Sequence, residues 1–224
     1  MLSNDNISYL KNTFSFWSKI DKETQDKIIQ NTTTVKYKKG ETIYSPNKEC
    51  LGVILIKKGE LRTYILSNEG KEVTLYRLLN DDICILSSSC VLKNITFDVY
   101  IDAQKNTEIL LVNSYIFSEL INKNIYIENF ALKTAVDKFS NVMWTIEQIL
   151  FMKFDTRLAI FLLDEVSKLN SNTIKITHEQ IGKYIGGARE VVSRMLKYFE
   201  QEEIIKLSRG SIEVINKNKL KSLL

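Results

Sequence analysis

Histidine is almost missing from this chain, since His178 is the single one among 224 residues. Metal-dependent enzymes built on small β-barrels need two or three histidines with a carboxylate, and residues 1–177 supply no histidine. The same stretch therefore cannot form a Ser-His-Asp or Cys-His arrangement, and no glycine-rich phosphate loop occurs. We expect no metal site, no cofactor and no enzymatic activity.

Cysteines and long apolar runs are also few. Cys50, Cys84 and Cys90 are an odd set that does not resemble a disulfide framework and is compatible with a reducing compartment. No run approaches the roughly 18 uninterrupted apolar residues of a membrane span. The start, MLSNDNISYLKNTFSFW, has acidic and polar residues where a secretory signal needs a basic region and an apolar core. These absences predict a cytoplasmic protein with no membrane partner.

What is present is an ordinary globular composition with an uneven charge. Hydrophobic residues make up 44% and charged residues 26%, and the length allows two domains. Residues 1–152 carry 18 basic and 18 acidic side chains, whereas residues 153–224 carry 13 basic and 9 acidic. The whole net charge of +4 thus lies in the last third, which favours a nucleic-acid partner for that part.

The stretch THEQIGKYIGGAREVVSRMLKYFEQ, residues 177–201, reads as two amphipathic helices. Thr177 and Gln180 have the spacing of a capping box, and the glycines at 186 and 187 end the first helix. The second is predicted to start near Ala188. Apolar residues at helical spacing predict the buried faces of the two helices: Ile181, Tyr184 and Ile185, then Ala188, Val191, Val192, Met195, Leu196 and Phe199.

The other face of the second helix has a different chemistry. Its members are Arg189, Glu190, Ser193, Arg194 and Lys197. Arginine can donate to guanine, glutamate can accept from cytosine, and serine or lysine can hold phosphate. A DNA-reading helix-turn-helix and a merely solvated charged helix both fit this pattern. His178, in the first helical turn, is expected to contact phosphate or to be simply exposed, and Thr177 before it is a candidate DNA contact.

The flanking segments favour the DNA-reading alternative. Residues 203–215 alternate apolar and polar around Arg209-Gly210, as a β-hairpin does, and residues 174–176 could add a third strand. A helix-turn-helix followed by a hairpin with a basic tip is a winged helix, and Arg209 joins the candidate DNA contacts.

Residues 35–112 have the pattern of a β-barrel or roll. Glycine or aspartate-rich turns separate the predicted strands, which are Val35–Tyr37, Thr42–Tyr44, Gly52–Ile56, Leu61–Leu66, Glu72–Leu78, Thr96–Ile101 and Glu108–Val112. A short helix is predicted to open within residues 18–23, and another over Ser114–Ile121.

A long helix is predicted from about Asn124 to Met152, where glycine and proline are absent. Its apolar residues alternate spacings of four and three and form a heptad seam: Leu132, Val136, Phe139, Met143, Ile146 and Leu150. Such a seam packs either on a second copy of the helix or on the protein's own barrel. A dimer would place two DNA-reading helices about 34 Å apart, one turn of DNA.

As a set, these segments resemble the superfamily of the cyclic-AMP receptor protein and the fumarate-nitrate regulator (CRP/FNR), which are bacterial transcription factors. The matching stretches are KKGETIY…GVILIKKGELRTYILSNEGKEVTLYRL, the long helix, Asp155-Thr156-Arg157-Leu158-Ala159, and ITHEQIGKYIGGAREVVSRMLKYFE. The family pattern R-E-x-x-[GS]-R falls on Arg189, Glu190, Ser193 and Arg194.

The resemblance implies an α+β fold in three parts. They are a cyclic-nucleotide-binding-like β-roll sensor over residues 1–123, a dimerisation helix over 124–152 and a winged helix-turn-helix over 153–224. It further implies a homodimer that binds a TGA-containing inverted repeat in double-stranded DNA, with RNA polymerase and an unknown effector as partners. A protein-docking role for the winged helix is the remaining alternative.

The resemblance fails where cyclic AMP would bind. Family members that hold it have Gly-Glu-Leu and, about ten residues on, Arg followed by Ser or Thr. This chain has Ile85-Leu86-Ser87 and Phe97-Asp98 instead, so the residues for the ribose and the phosphate are absent. We therefore expect a signal other than cyclic AMP.

Two interpretations of the cysteines near this segment are open. Cys84 and Cys90 flank the serine run and could sense redox chemistry if one thiol is exposed, or they could be small buried hydrophobes. An iron–sulfur cluster is disfavoured because the first 49 residues contain no cysteine.

Overall fold

The computed structural model describes residues 2–46, 51–85 and 98–224, and it shows an α+β fold of helices and antiparallel sheets. Contacts divide the chain into two units. The first is Met1–Glu69 with Leu75–Val142, and the second is Gly70–Thr74 with Met143–Leu224. Within the described residues, no helix has both the length and the apolar character needed to cross a bilayer.

Helices α1 (Asn4–Thr13) and α2 (Lys22–Gln30) precede the sheets, with a single 3₁₀ turn at Trp17–Lys19 between them. The short helix predicted to open within residues 18–23 is α2, which begins at Lys22. Helix α2 begins at Lys22 because the Asp21 carboxylate accepts a 2.7 Å hydrogen bond from the backbone N–H of Thr24 and caps the first turn.

Eight strands then form the roll among the described residues. They are β1 (Thr32–Tyr37), β2 (Thr42–Tyr44), β3 (Gly52–Lys58), β4 (Leu61–Leu66), β5 (Glu72–Leu78), β6 (Ile83–Cys84), β7 (Tyr100–Ala103) and β8 (Thr107–Asn113). One sheet has the order β1-β8-β3-β6 and the other β2-β7-β4-β5. The two-residue strand β6 was not predicted, and the predicted strand at 96–101 lies partly outside the described residues.

Strand β3 shows why the sequence here is apolar without alternation. Val53 and Leu55 point into a core shared with α1, α2 and α3, whereas Ile54 and Ile56 point into the core between the sheets. All four side chains are fully buried. Strand β3 lies between two apolar cores, so both of its faces are covered. A strand covered on both faces needs apolar residues at every position.

Helices α3 (Ser114–Lys123) and α4 (Ile125–Phe151) follow the roll. The side-chain oxygen of Asn124 accepts from the backbone N–H of Tyr126 at 3.0 Å, which caps the first turn of α4. The long helix was thus predicted to within one residue at each end.

The second unit has the order α5 (Phe154–Leu169), β9 (Thr173–Ile174), α6 (His178–Ile185), α7 (Arg189–Gln201), β10 (Ile205–Ser208), β11 (Ser211–Val214) and α8 (Lys217–Lys221). Its sheet has the order β10-β11-β9, so the predicted third strand is present, although it covers residues 173–174 and not 174–176. One apolar core joins α5, α6, α7 and this sheet. The arrangement is a winged helix-turn-helix.

Candidate nucleic-acid interface

The capping box at the start of α6 is present as predicted. The Thr177 hydroxyl accepts from the backbone N–H of Gln180 at 3.2 Å, and the Gln180 side-chain oxygen accepts from the backbone N–H of Thr177 at 3.2 Å. These bonds satisfy two backbone donors at the helix end and fix where α6 begins. Thr177 is exposed, and its contact with DNA stays a prediction.

The junction of α6 and α7 depends on two glycines in the turn, Gly186 and Gly187, and on a third inside α6, Gly182. Gly186 ends α6 in a left-handed conformation with φ +69°, which glycine adopts without strain. The backbone N–H of Gly187 donates to the carbonyl of Gly182 at 2.9 Å. A Cβ on Gly182 would overlap the carbonyl oxygen of Gly187. A Cβ on Gly187 would overlap the ring of Phe154. The angle between the two helices therefore depends on close backbone approach.

The sequence pattern predicts the glycine pair at 186–187 but not the contacts of Gly182 and Phe154. A glycine inside a short helical pattern is unfavourable by about 1 kcal/mol relative to alanine, and Gly182 was such a signal. Phe154 had no signal, because its contact is decided by tertiary packing.

Arg157, on α5, forms a hydrogen bond with the C-terminal end of α6. Its Nη1 donates to the carbonyl of Ile185 at 2.9 Å, and its guanidinium lies 5.4 Å from the centroid of the Phe154 ring. Burial lowers the pKa of Arg157 from its usual value. The contact satisfies a carbonyl at the C-terminus of α6, where the helix itself provides no donor, and a cation is electrostatically favourable there.

The apolar face of α7 packs into the core of the second unit. Val192, Leu196 and Phe199 are fully buried, and Val191 and Met195 are partly buried. Packing along this face fixes which side of α7 faces solvent.

The helix starts near Ala188 as predicted, but the prediction that Ala188 joins this face was wrong. Ala188 is an exposed N-cap residue with extended backbone angles, and α7 begins at Arg189. It precedes the first turn, so its Cβ does not lie above the buried stripe.

The opposite side of α7 carries the candidate base-reading residues. Arg189, Glu190, Arg194 and Lys197 are exposed, so three cations and one carboxylate project from the same helix. Ser193 is only half-buried and lies among them. This is the exposure and chemistry that a helix needs to enter a DNA groove, and the contacts with DNA stay predictions.

Of the two expectations for His178, simple exposure is wrong, and a contact with phosphate stays a prediction. His178 is half-buried, and its Nδ1 lies 2.7 Å from the Ser193 hydroxyl, within hydrogen-bond distance. Burial and the nearby positive charge of Arg189 lower the pKa of His178 from 6.5. The ring therefore favours its neutral form at neutral pH.

The wing is a two-residue hairpin between β10 and β11. Ser208 pairs with Ser211, and Gly210, the second residue of the turn, has φ +75°, which glycine adopts without strain. Arg209 is exposed at the tip. The predicted hairpin is thus present, with a cation available for phosphate.

Helix α4 exposes the predicted seam. Its exposed fractions are Leu132 53%, Val136 61%, Phe139 65%, Met143 46%, Ile146 39% and Leu150 66%. The seam is exposed in the single chain, and its packing on a second copy of the helix stays a prediction. A continuous exposed apolar stripe of this kind marks a protein interaction surface.

The candidate sensor residues are described only in part. The Cys84 side chain is fully buried in the core between the sheets, which fits the packing alternative. Cys50 and Cys90 lie outside the described residues, as do residues 86, 87 and 97 of the altered cassette. Of the remaining two cassette residues, Ile85 is buried and Asp98 is exposed. In the described part of the chain, no three His, Cys, Asp or Glu side chains form a group that could hold a metal ion.

Two protein-family models match most of this chain between them. A cyclic nucleotide-binding domain matches residues 34–124, and a Crp-like helix-turn-helix domain matches residues 156–223. These are the stretches that contain the roll and the winged helix described above.

Solved and curated proteins agree with these matches. A crystal structure from Eubacterium rectale, described as a transcriptional regulator of the crp/fnr family, is 42% identical, covers 95% of this chain and 98% of its own, and has a TM-score of 0.90. The cAMP-activated global transcriptional regulator CRP of Pasteurella multocida is 24% identical over 80% of this chain and 88% of its own length. FixK2 of Bradyrhizobium japonicum shares the fold, with a TM-score of 0.70 at 19% identity over 86% of this chain and 96% of its own.

Proposed function

Because the chain belongs to the CRP/FNR family of transcriptional regulators, we propose that it regulates transcription by binding an inverted repeat in DNA as a homodimer. The signal it answers is a ligand or condition other than cyclic AMP. The proposal assigns residues 1–123 to sensing, 124–152 to dimerisation and 153–224 to DNA binding.

The observation that carries the DNA-binding part is the exposed face of α7. Arg194 and Glu190 are suited to base edges, because arginine can donate to guanine and glutamate can accept from a cytosine amino group. Lys197 and Arg209 are suited to phosphate oxygens, which position the protein without reading sequence. The glycine turn and Arg157 hold α7 in one orientation relative to α6, and base reading needs such a rigid support.

The seam on α4 supports the homodimer. Six apolar side chains repeat at heptad spacing and are exposed, which is the surface of one strand of a coiled coil. A second copy would cover them with the same residues in two-fold symmetry. Two copies of α7 would then meet two half-sites about one turn of DNA apart, roughly 34 Å.

A docking role for the winged helix, without DNA, is the competing function. Selection from a random-sequence duplex library, followed by mobility shift at a fixed salt concentration, separates the two. We expect enrichment of a two-fold symmetric sequence containing TGA half-sites. Retention of all sequences alike, or of none, would contradict the proposal. Salt must be held constant because phosphate contacts make the affinity strongly salt-dependent.

A further inference from the structure

The hydrogen bond between His178 and Ser193 joins the first residue of α6 to the base-reading face of α7. Nδ1 and the hydroxyl oxygen are 2.7 Å apart. Both residues are half-buried, while the other four candidate residues of that face are exposed. The Ser193 hydroxyl therefore already has a hydrogen-bond partner within the protein before DNA is bound.

We propose that His178 determines whether Ser193 offers DNA a hydrogen-bond acceptor or a donor, and so which base Ser193 prefers. In the neutral ring, with its proton on Nε2, Nδ1 accepts the hydroxyl hydrogen of Ser193. The hydroxyl then has only lone pairs to offer a base. In the protonated ring, Nδ1–H donates to the hydroxyl oxygen, and the hydroxyl hydrogen is released toward the groove. This inference rests on the proposed DNA-binding function.

The two states fit different base edges. An acceptor on Ser193 suits the amino group of cytosine or adenine, whereas a donor suits O6 or N7 of guanine and O4 of thymine. A proton on His178 would therefore change the order of preference at one base pair of each half-site. No change in fold is required, because only the direction of one hydrogen bond is reversed.

The charged surroundings of His178 place this change on the acidic side of neutrality. Arg189 approaches from α7, and its positive charge acts with burial to lower the pKa of the imidazole. Glu179 follows on α6, where it is exposed and lies 3.9 Å from Lys183. At neutral pH the ring is uncharged and Ser193 is an acceptor, and lowering the pH populates the donor state.

His178 is the only histidine in the sequence, which makes the proposal testable on the intact protein. A half-site obtained by selection at about pH 7.5 is varied one base pair at a time, and affinities are measured at about pH 7.5 and about pH 5, which bracket the pKa of histidine. The quantity compared is the affinity ratio between two bases at the position where Ser193→Ala loses discrimination. A ratio is used because a positive charge on His178 strengthens binding to all sequences.

In the wild-type protein we expect this ratio to change about three- to tenfold between the two pH values, the size of one ordinary hydrogen bond. His178→Gln and Ser193→Ala should each give a ratio that does not change with pH. Lys197→Ala is the matched control, since it should weaken binding to every sequence and keep the pH-dependent ratio. Ser193→Ala is a truncation at a half-buried site, so it tests the proposal even where His178→Gln affects folding.

A wild-type ratio that is constant with pH would overturn the proposal, as would a pH-dependent ratio that persists in either variant. Nuclear magnetic resonance of the single imidazole adds a direct reading, in which neutral His178 should carry its proton on Nε2. A proton on Nδ1 in the neutral ring would also overturn it. Failure of the proposed function looks different, because no sequence would then be enriched at either pH.

Discussion

Gly187 lies directly against the ring of Phe154, so closely that a Cβ built on Gly187 would overlap the Cε2 atom of that ring. The contact joins the turn between α6 and α7 to the first residue of α5. Gly187 does not have a positive φ, so the restriction comes from space and not from backbone conformation. The orientation of the base-reading helix therefore depends on the absence of one methyl group.

Gly187→Ala should destabilise the second unit and weaken DNA binding. Inserting a methyl into a filled site forces neighbouring side chains or backbone to move, which destabilises a protein by about 1–3 kcal/mol. The measurements are thermal unfolding and affinity for the selected half-site. Adding Phe154→Leu to Gly187→Ala should restore part of both, because the smaller side chain makes room for the methyl.

Gly210→Ala is the matched control for that pair. Its Cβ would meet nothing within 4 Å, and the substitution is strained only by the φ of +75°. It should lose stability by about 1–2 kcal/mol, and Phe154→Leu should not rescue it. Equal rescue of both glycine variants would show that the contact between Gly187 and Phe154 is not the cause.

Phe139→Asp or Met143→Asp should convert the dimer to monomer and abolish binding to the full inverted repeat. Each change places an unpaired charge in an apolar interface, where its burial is strongly unfavourable. Sedimentation at micromolar concentration measures the mass, and mobility shift measures the binding.

Asn141→Asp is the control for the seam. It adds the same charge to the same helix at an exposed position on the side away from the seam. We expect the dimer mass to be unchanged in this variant. If the two seam variants also keep it, the subunits pair through another surface.

Arg194→Ala should weaken binding to the selected half-site by about 1–3 kcal/mol and relax the preference at one base pair. Lys197→Ala should weaken all sequences alike and reduce the dependence of affinity on salt by about one counterion. Affinities on specific and random duplexes at two salt concentrations distinguish the two roles. Equal losses on both duplexes for Arg194→Ala would rule out base reading by that side chain.

Millimolar cyclic AMP should neither raise the melting temperature nor tighten DNA binding. The expectation follows from Leu86 and Phe97, which stand where cyclic-AMP-binding members of the family have polar and charged groups. A ligand at 100 times its dissociation constant would stabilise the folded state by about 2.7 kcal/mol, which a thermal melt detects easily. A clear upward shift in melting temperature would show that the cassette tolerates these replacements.

Cys84 should resist thiol reagents in the folded protein. Its side chain is fully buried, and a reagent needs the exposed thiolate. The test uses a variant with Cys50→Ser and Cys90→Ser, so that a single thiol is followed with and without denaturant. Rapid labelling of the folded variant would show that Cys84 is accessible and remains a candidate sensor. The effect of oxidation on DNA affinity would then be compared between the wild type and Cys84→Ser.

The local pattern of the sequence determined most of the secondary structure. Strands β2, β4 and β5 have the bounds predicted from their apolar runs and flanking turns, and α4 was predicted from its uninterrupted heptads. The start of α2 was predicted only to within residues 18–23, because one side-chain oxygen, that of Asp21, selects the first helical turn. Strand β6 was missed because its two residues form a strand only by pairing with β3.

For the candidate site, the sequence determined which residue types share the solvent face of α7, since helical periodicity depends on neighbours along the chain. It could not show that Phe154 closes the space beside Gly187, that Arg157 binds the carbonyl of Ile185, or that His178 holds the hydroxyl of Ser193. These contacts join residues 15 to 33 positions apart, and no local pattern encodes which side chains meet when α5, α6 and α7 pack around one core. The sequence thus determined the chemistry that the helix can offer to DNA, and only the tertiary structure decided which of those groups is free and which is already held, because side-chain hydrogen bonding depends on distance in space.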